Sequence, residues 1–169
     1  MPLQDMAEPV GPFASARLEL HDGSARQVHW TDVETPFPEG RLIVSRPGLD
    51  GVLTHANDAF VEMSAYERDE LIGAPHAILR HPEMPRRAFQ DLWDTLRSGG
   101  KWNGYVKNLR KDGGYYWVYA TAIANVRDGA VVGYSSVRRK PSRQKIEALL
   151  PVYRQWCEEE RAARAGACP

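Results

Sequence analysis

An α+β fold follows from three observations on the sequence. Asp50-Gly51, Asp112-Gly113 and Asp128-Gly129 each separate two apolar runs and read as hairpin turns, because such turns need positive φ at glycine. Between the first hairpin and the other two, the periodicity is helical, with Phe89, Leu92, Trp93 and Leu96 at i, i+3, i+4 and i+7. After the last strand pattern, Ile146, Leu149, Tyr153 and Trp156 form a second helical stripe. Strands at both ends of a helical middle, with a helix after them, define the class.

Size and charge narrow what such a fold does. The chain has 169 residues, enough for one domain plus extensions with a core that needs no staples. Lys+Arg and Asp+Glu both total 22, giving a formal net charge of zero, and no block of like charge favours nucleic acid or an anionic membrane as partner. No apolar run reaches about 18 residues and no signal peptide pattern opens the chain, so a cytoplasmic protein is expected. Cys157 and Cys168 lack metal-ligand spacing and fit reduced thiols.

Taken in order, residues 1–38 hold five of the twelve prolines and no sustained period, so they read as an N-terminal arm of low order or partial helix. Leu18, Leu20, Val28 and Trp30 form an apolar patch there, around Asp22-Gly23. Leu42-Ile43-Val44 and Val52-Leu53-Thr54 flank Asp50-Gly51 as strand, turn and strand. Asn57-Asp58 offers a side-chain oxygen to cap a short helix bearing Ala59, Phe60 and Met63. A brief second helical stretch ends near Gly73, and the helix from Arg86 to Leu96 is stopped by Ser98-Gly99-Gly100. Lys101–Lys111, Tyr115–Arg127 and Ala130–Arg138, rich in aromatic and β-branched residues, read as three consecutive antiparallel strands. Ser142 precedes an amphipathic exit helix, which Pro151 is expected to kink. The boundaries are therefore an arm over 1–38, a domain over 39–140 and a helix with its tail over 141–169.

Several side chains in this frame suit a polar ligand with a flat ring. Strand alternation puts Trp102, Gly104, Val106 and Asn108 on one face. A carboxamide on an apolar face both donates and accepts, as the edge of an imide ring requires; the other reading of Asn108 is a turn amide serving the Arg110-Lys111-Asp112-Gly113 backbone. Trp93 is either core packing or a ring wall with one N–H to place, and the two are compatible. Arg80-His81-Pro82-Glu83 leaves helical patterning because residues before proline avoid the α region, so its side chains project from irregular backbone, into solvent or toward a ligand.

These motifs resemble the flavin-binding PAS domain of bacterial aerotaxis receptors. His55-Ala56-Asn57-Asp58, Pro75-His76, Arg80-His81-Pro82-Glu83-Met84-Pro85, Leu92-Trp93 and Lys107-Asn108-Leu109-Arg110-Lys111 occur in that family's order, over roughly residues 31–155. Where the family usually has aspartate, this chain has Glu83, one methylene longer. The resemblance implies a five-stranded antiparallel sheet whose concave face is closed by short helices over a ligand pocket. It implies non-covalent FAD, with FMN second, held by Asn57, Arg80, His81, Trp93, Trp102 and Asn108. Asn108 would contact the isoalloxazine, Trp93 and Trp102 would wall it, and Arg80, His81 and Asn57 would meet the ribityl chain and phosphates. A sensor of redox or oxygen status follows, with output through a homodimer or a separate signalling protein by way of the arm, the exposed sheet face and the exit helix. The alternatives are a ligand-free PAS interaction module and a haem gas sensor that uses His76 or His81. No cysteine lies between Asn57 and Gly100, so no photochemical thiol adduct is expected. No Walker motif, nucleophile elbow or zinc motif occurs, and an enzyme is not expected.

Overall fold

A computed structural model of the chain describes residues 2–20 and 22–166. Cys168 lies outside the described residues. A two-stranded hairpin precedes a five-stranded antiparallel sheet with its helices.

The hairpin corrects the expectation of a loosely ordered arm. β1 (Ala14–Glu19) pairs with β2 (Ala25–Trp30) from Ala14↔Trp30 to Glu19↔Ala25, and Gly23 takes φ +81° in the turn. The prolines that suggested disorder, at positions 2, 9, 12, 36 and 38, all fall outside the two strands. An isolated two-stranded hairpin is marginal in water, and here docking supplies the rest. Val28, Met6 and Leu109 form a small core of their own, flanked by Leu18 and Trp30. Arg26, 6 % exposed, donates to the Ile78 carbonyl at 3.1 Å and to the Tyr66 hydroxyl at 2.9 Å.

The main sheet contains β3 (Ile43–Pro47), β4 (Leu53–Ala56), β5 (Trp102–Leu109), β6 (Tyr115–Arg127) and β7 (Ala130–Arg139), in the order β4-β3-β7-β6-β5. The long β6 is paired on both sides, to β5 from Trp102↔Ala122 to Leu109↔Tyr115 and to β7 from Tyr119↔Arg139 to Arg127↔Ala130. Between β4 and β5 run α1 (Asp58–Ser64), α2 (Arg68–Leu71), a 3-10 turn (His76–Leu79) and α3 (Arg86–Arg97).

The exit helix α4 (Arg143–Gly166) continues through Pro151. It lies against the outer face of the sheet, with Ile146 fully buried, the Tyr153 ring stacked on Trp117 at 6.4 Å and the Tyr153 hydroxyl donating to the Tyr105 carbonyl at 2.8 Å. Its amphipathic stripe is thus spent on the domain itself. Among the described residues no helix is long and apolar enough to cross a membrane.

Candidate functional site: a polar-floored cavity

The inner face of the sheet and the helices above it enclose a cavity of about 470 Å³, within the range of small-molecule and cofactor sites. β5 contributes Trp102, Val106 and Asn108, β6 contributes Ala120 and Ala122, and β7 contributes Tyr134, Ser136 and Arg138. The period of two along each strand selects these positions. Ala120 and Ala122, with short side chains at the centre of β6, leave the floor flat. The roof is the apolar face of α3, with Phe89, Leu92, Trp93 and Leu96, beside His76 and Leu79 of the 3-10 turn. Exposed side chains mark the rim: Asp22 of the hairpin turn, Leu49 of the β3–β4 turn and Arg97 at the end of α3.

Three donors on buried side chains in or beside this space have no partner: Asn108 Nδ2, Tyr116 Oη and one terminal nitrogen of Arg138. Native proteins leave few buried polar atoms unpaired, so their clustering marks a place prepared for acceptor atoms. Asn108 and Tyr116 face each other across the β5–β6 register, and burial pushes the Tyr116 phenol up to about 12. Arg138, 4 % exposed, donates to Ser45 Oγ at 3.0 Å, contacts His76 Nε2 at 2.7 Å and lies over the Phe60 ring at 5.2 Å. No carboxylate neutralises it among the described residues, and burial pulls its pKa down to about 10, so it keeps its charge at neutral pH. Burial and then the Arg138 charge hold His76 neutral, with its pKa at about 3. His76 Nε2 is therefore the acceptor.

Of the residues singled out from sequence, Arg80, Trp93, Trp102 and Asn108 all line the cavity. The Arg80 guanidinium lies over the Phe89 ring at 4.9 Å without an ion pair among the described residues. Trp93 meets Tyr134 edge to face at 5.4 Å, and Trp102 Nε1 donates to Asp91 Oδ2 at 2.9 Å, tying β5 to α3. Arg80 and Asn108 are also joined by a backbone bridge.

The structure places Asn57 and His81 elsewhere. Asn57 caps α1: its Oδ1 accepts from the Phe60 and Val44 N–H groups at 3.0 and 3.1 Å, and its Nδ2 donates to the Leu42 carbonyl at 2.9 Å. That side chain has little left to offer a ligand. His81 is fully buried beneath the N-terminal hairpin, edge-on to Trp30 and Tyr115 at 5.9 and 6.3 Å. Its Nδ1 accepts from the Glu83 N–H at 3.0 Å, which puts the proton on Nε2. Burial and then the Lys107 charge lower its pKa to about 3. Glu83 accepts from Trp30 Nε1 at 3.2 Å and from Lys107 Nζ at 2.8 Å, so it ties the hairpin to β5. Burial alone would raise the Glu83 pKa, but the Lys107 contact brings it below the usual carboxylate range.

Sequence reasoning missed Arg138 and the two floor alanines. The available signal was Tyr134, Ser136 and Arg138 at alternate positions, which puts an arginine on the inward face of a strand. No group of three or more His, Cys, Asp or Glu side chains positioned for a metal occurs among the described residues.

Comparison with known proteins agrees with this architecture. The family described as the PAS fold matches residues 53–138. The chain is 44% identical over 124 residues to the aerotaxis receptor of Escherichia coli (strain K12), covering 73% of this chain and 24% of the receptor. It is 34% identical over 93 residues to the biofilm dispersion protein BdlA of Pseudomonas aeruginosa, covering 52% of this chain and 22% of that protein. The chain thus spans about a fifth to a quarter of the length of these relatives. A light-oxygen-voltage domain solved in work on a flavin analogue superposes with a TM-score of 0.57 at 27% identity, over 65% of this chain and 83% of that one. The light state of the Aureochrome1 light-oxygen-voltage domain superposes with a TM-score of 0.56 at 22% identity, over 65% and 88% of the two chains, and shows the fold alone.

Proposed function

We propose that this chain, which belongs to the PAS fold family of signalling domains, binds a flavin in the cavity, FAD before FMN, and reports its redox state to a second copy or a separate signalling protein. The observation that carries the reading is the pair of unpartnered donors on the cavity-lining Asn108 and Arg138 beneath a roof of Trp93 and Phe89. A flat heteroaromatic ring with acceptors along one edge matches both parts. Asn108 offers NH2 to a ring carbonyl and C=O to an imide N–H, and Arg138 offers its free N–H to a second acceptor. Arg80 serves the phosphate-bearing side chain of the ligand. Trp93 and Trp102 exclude water from the ring, which strengthens each of these hydrogen bonds.

When bound, a flavin supplies reversible redox chemistry that alters the charge and hydrogen-bonding character of its ring edge. The chain answers through groups that are already neutral or fixed. Arg138 keeps its cation beside that edge, His76 stays an acceptor, and Asn108 can turn its amide to present either oxygen or nitrogen. The two histidines that a haem reading would use do not favour it, since His76 Nε2 is engaged by Arg138 and His81 does not line the cavity. The test is the absorption spectrum of the purified protein, with mass analysis of the released cofactor. Yellow protein releasing FAD is expected, and colourless protein that also fails to bind added FAD and FMN overturns the reading.

A further inference from the structure

We propose that Glu160 latches the exit helix α4 to the cavity-lining helix α3, so that a change in the cavity leaves the domain along this helix pair. The inference rests on the flavin reading only for the identity of the occupant. α3 begins behind Pro85 and has no side-chain cap of its own. The first N–H groups of a helix lack intrahelical partners, and a proline at the cap position has no side-chain oxygen to give them. Glu160 supplies the cap from α4. Its Oε2 accepts from the Arg86 N–H and its Oε1 from the Arg87 N–H, each at 3.0 Å and across more than 70 residues of sequence. A carboxylate there also meets the positive end of the α3 dipole.

Neighbouring contacts make this a patch. The Arg87 guanidinium pairs with Glu159 at 2.8 Å and lies over the Trp156 ring at 5.0 Å, and Cys157 Sγ donates to the Glu83 carbonyl at 3.3 Å. The Glu159 pair is exposed and contributes little by itself, which leaves the cap as the directional contact. On its other face, α3 presents Leu92 and Trp93 to the cavity. A helix of 12 residues moves as a unit, so a displacement imposed on those side chains arrives at Arg86 and Arg87, where two aligned hydrogen bonds tolerate only a few tenths of an ångström. Opening the cap frees the second half of α4, and with it the aromatic surface of Trp117 that Tyr153 covers.

Hydrogen exchange of the full chain, first without flavin, compares wild type with Glu160→Ala, Glu160→Gln and Glu159→Gln. Exchange at residues 86–96 and 153–164 is expected to rise together by about five- to tenfold in Glu160→Ala, the scale of losing a helix cap. It should rise less in Glu160→Gln, which keeps an acceptor oxygen, and stay within about twofold of wild type in Glu159→Gln. Faster exchange in α4 with α3 unchanged, or no change in either, overturns the latch. FAD is then titrated: wild type should gain protection in both segments, and Glu160→Ala should bind it severalfold more weakly. Unchanged FAD affinity in a variant whose α4 has loosened overturns the coupling. Failure of wild type to bind FAD removes the flavin reading, while exchange in the flavin-free proteins still decides the latch.

Discussion

Arg138 stands on an inward position of β7 with no carboxylate partner among the described residues, which costs folding free energy and is retained only if something else uses it. Arg138→Met removes that burden while filling similar volume. The flavin-free variant is expected to melt at or above the wild-type temperature, yet to bind FAD at least about tenfold more weakly, as titration of flavin absorbance would show. Asn108→Ala should weaken FAD by a similar factor of about ten with the fold intact, because the amide is replaced at the same cavity wall. Unchanged affinity and spectrum would return Asn108 to a purely structural amide. His81 gives a pH test. Its pKa of about 3 lies below the unfolded value near 6.5, so between the two the unfolded chain takes up a proton that the folded chain refuses. Stability is therefore complete above pH 6.5 and falls as the pH is lowered toward 3, by about 1.4 kcal/mol per pH unit for this residue. His76, held near 3 as well, contributes a second proton, so urea melts from pH 7 to pH 4.5 should show about twice that slope, and His81→Gln, which keeps an acceptor for the Glu83 N–H, should flatten it by one proton. The positions of Trp102 and Asn108 were legible because strand period fixes their face. Those of Asn57 and His81 were not, since a cap and a loop packed under a distant hairpin follow no period.

At the scale of elements, the turns and the apolar periods located all five strands of the main sheet and α3, because Asp-Gly turns and repeated spacing are local signals. The N-terminal hairpin escaped despite carrying the same Asp-Gly signal at Asp22-Gly23, since surrounding prolines outweighed a short alternation whose burial depends on Leu109, far away in sequence. The cap of α3 by Glu160 escaped for the same reason: nothing near Arg86 points to it. Gly104 shows how two elements set the cavity wall together. The Trp102 indole folds back across Gly104 to reach Asp91 on α3, and a Cβ at residue 104 would overlap that ring. Gly104→Ala is therefore expected to expel the indole, break its bond to Asp91 and reshape the wall. Tryptophan fluorescence should shift toward that of an exposed ring and FAD affinity should fall, whereas a spectrum and affinity equal to wild type would mean that Trp102 is not held by this contact.

Across the whole molecule, two segments at opposite ends of the chain close the same domain, α4 over the outer sheet face and the hairpin over the 3-10 turn and the cavity rim. The hairpin lies outside the matched PAS region of residues 53–138, yet Leu20 and Asp22 border the cavity and Arg26 holds the Ile78 carbonyl, one residue from the cavity-lining Leu79. Removing residues 2–31 would expose Leu109, leave the Ile78 carbonyl without its buried donor and open the rim. Each lost charged hydrogen bond of this kind costs about 1.5–3 kcal/mol, and the apolar burial of Val28 adds roughly another 1.5 kcal/mol or more. The truncated chain is expected to remain folded on its main sheet, to melt well below wild type and to release FAD faster in a stopped-flow chase. Because a ligand that binds only the folded state stabilises it by about 2.7 kcal/mol at one hundred times its dissociation constant, saturating FAD should recover part of the lost melting temperature in the truncated chain. Equal flavin release rates in the two chains would make the hairpin a brace for the domain with no part in closing the cavity.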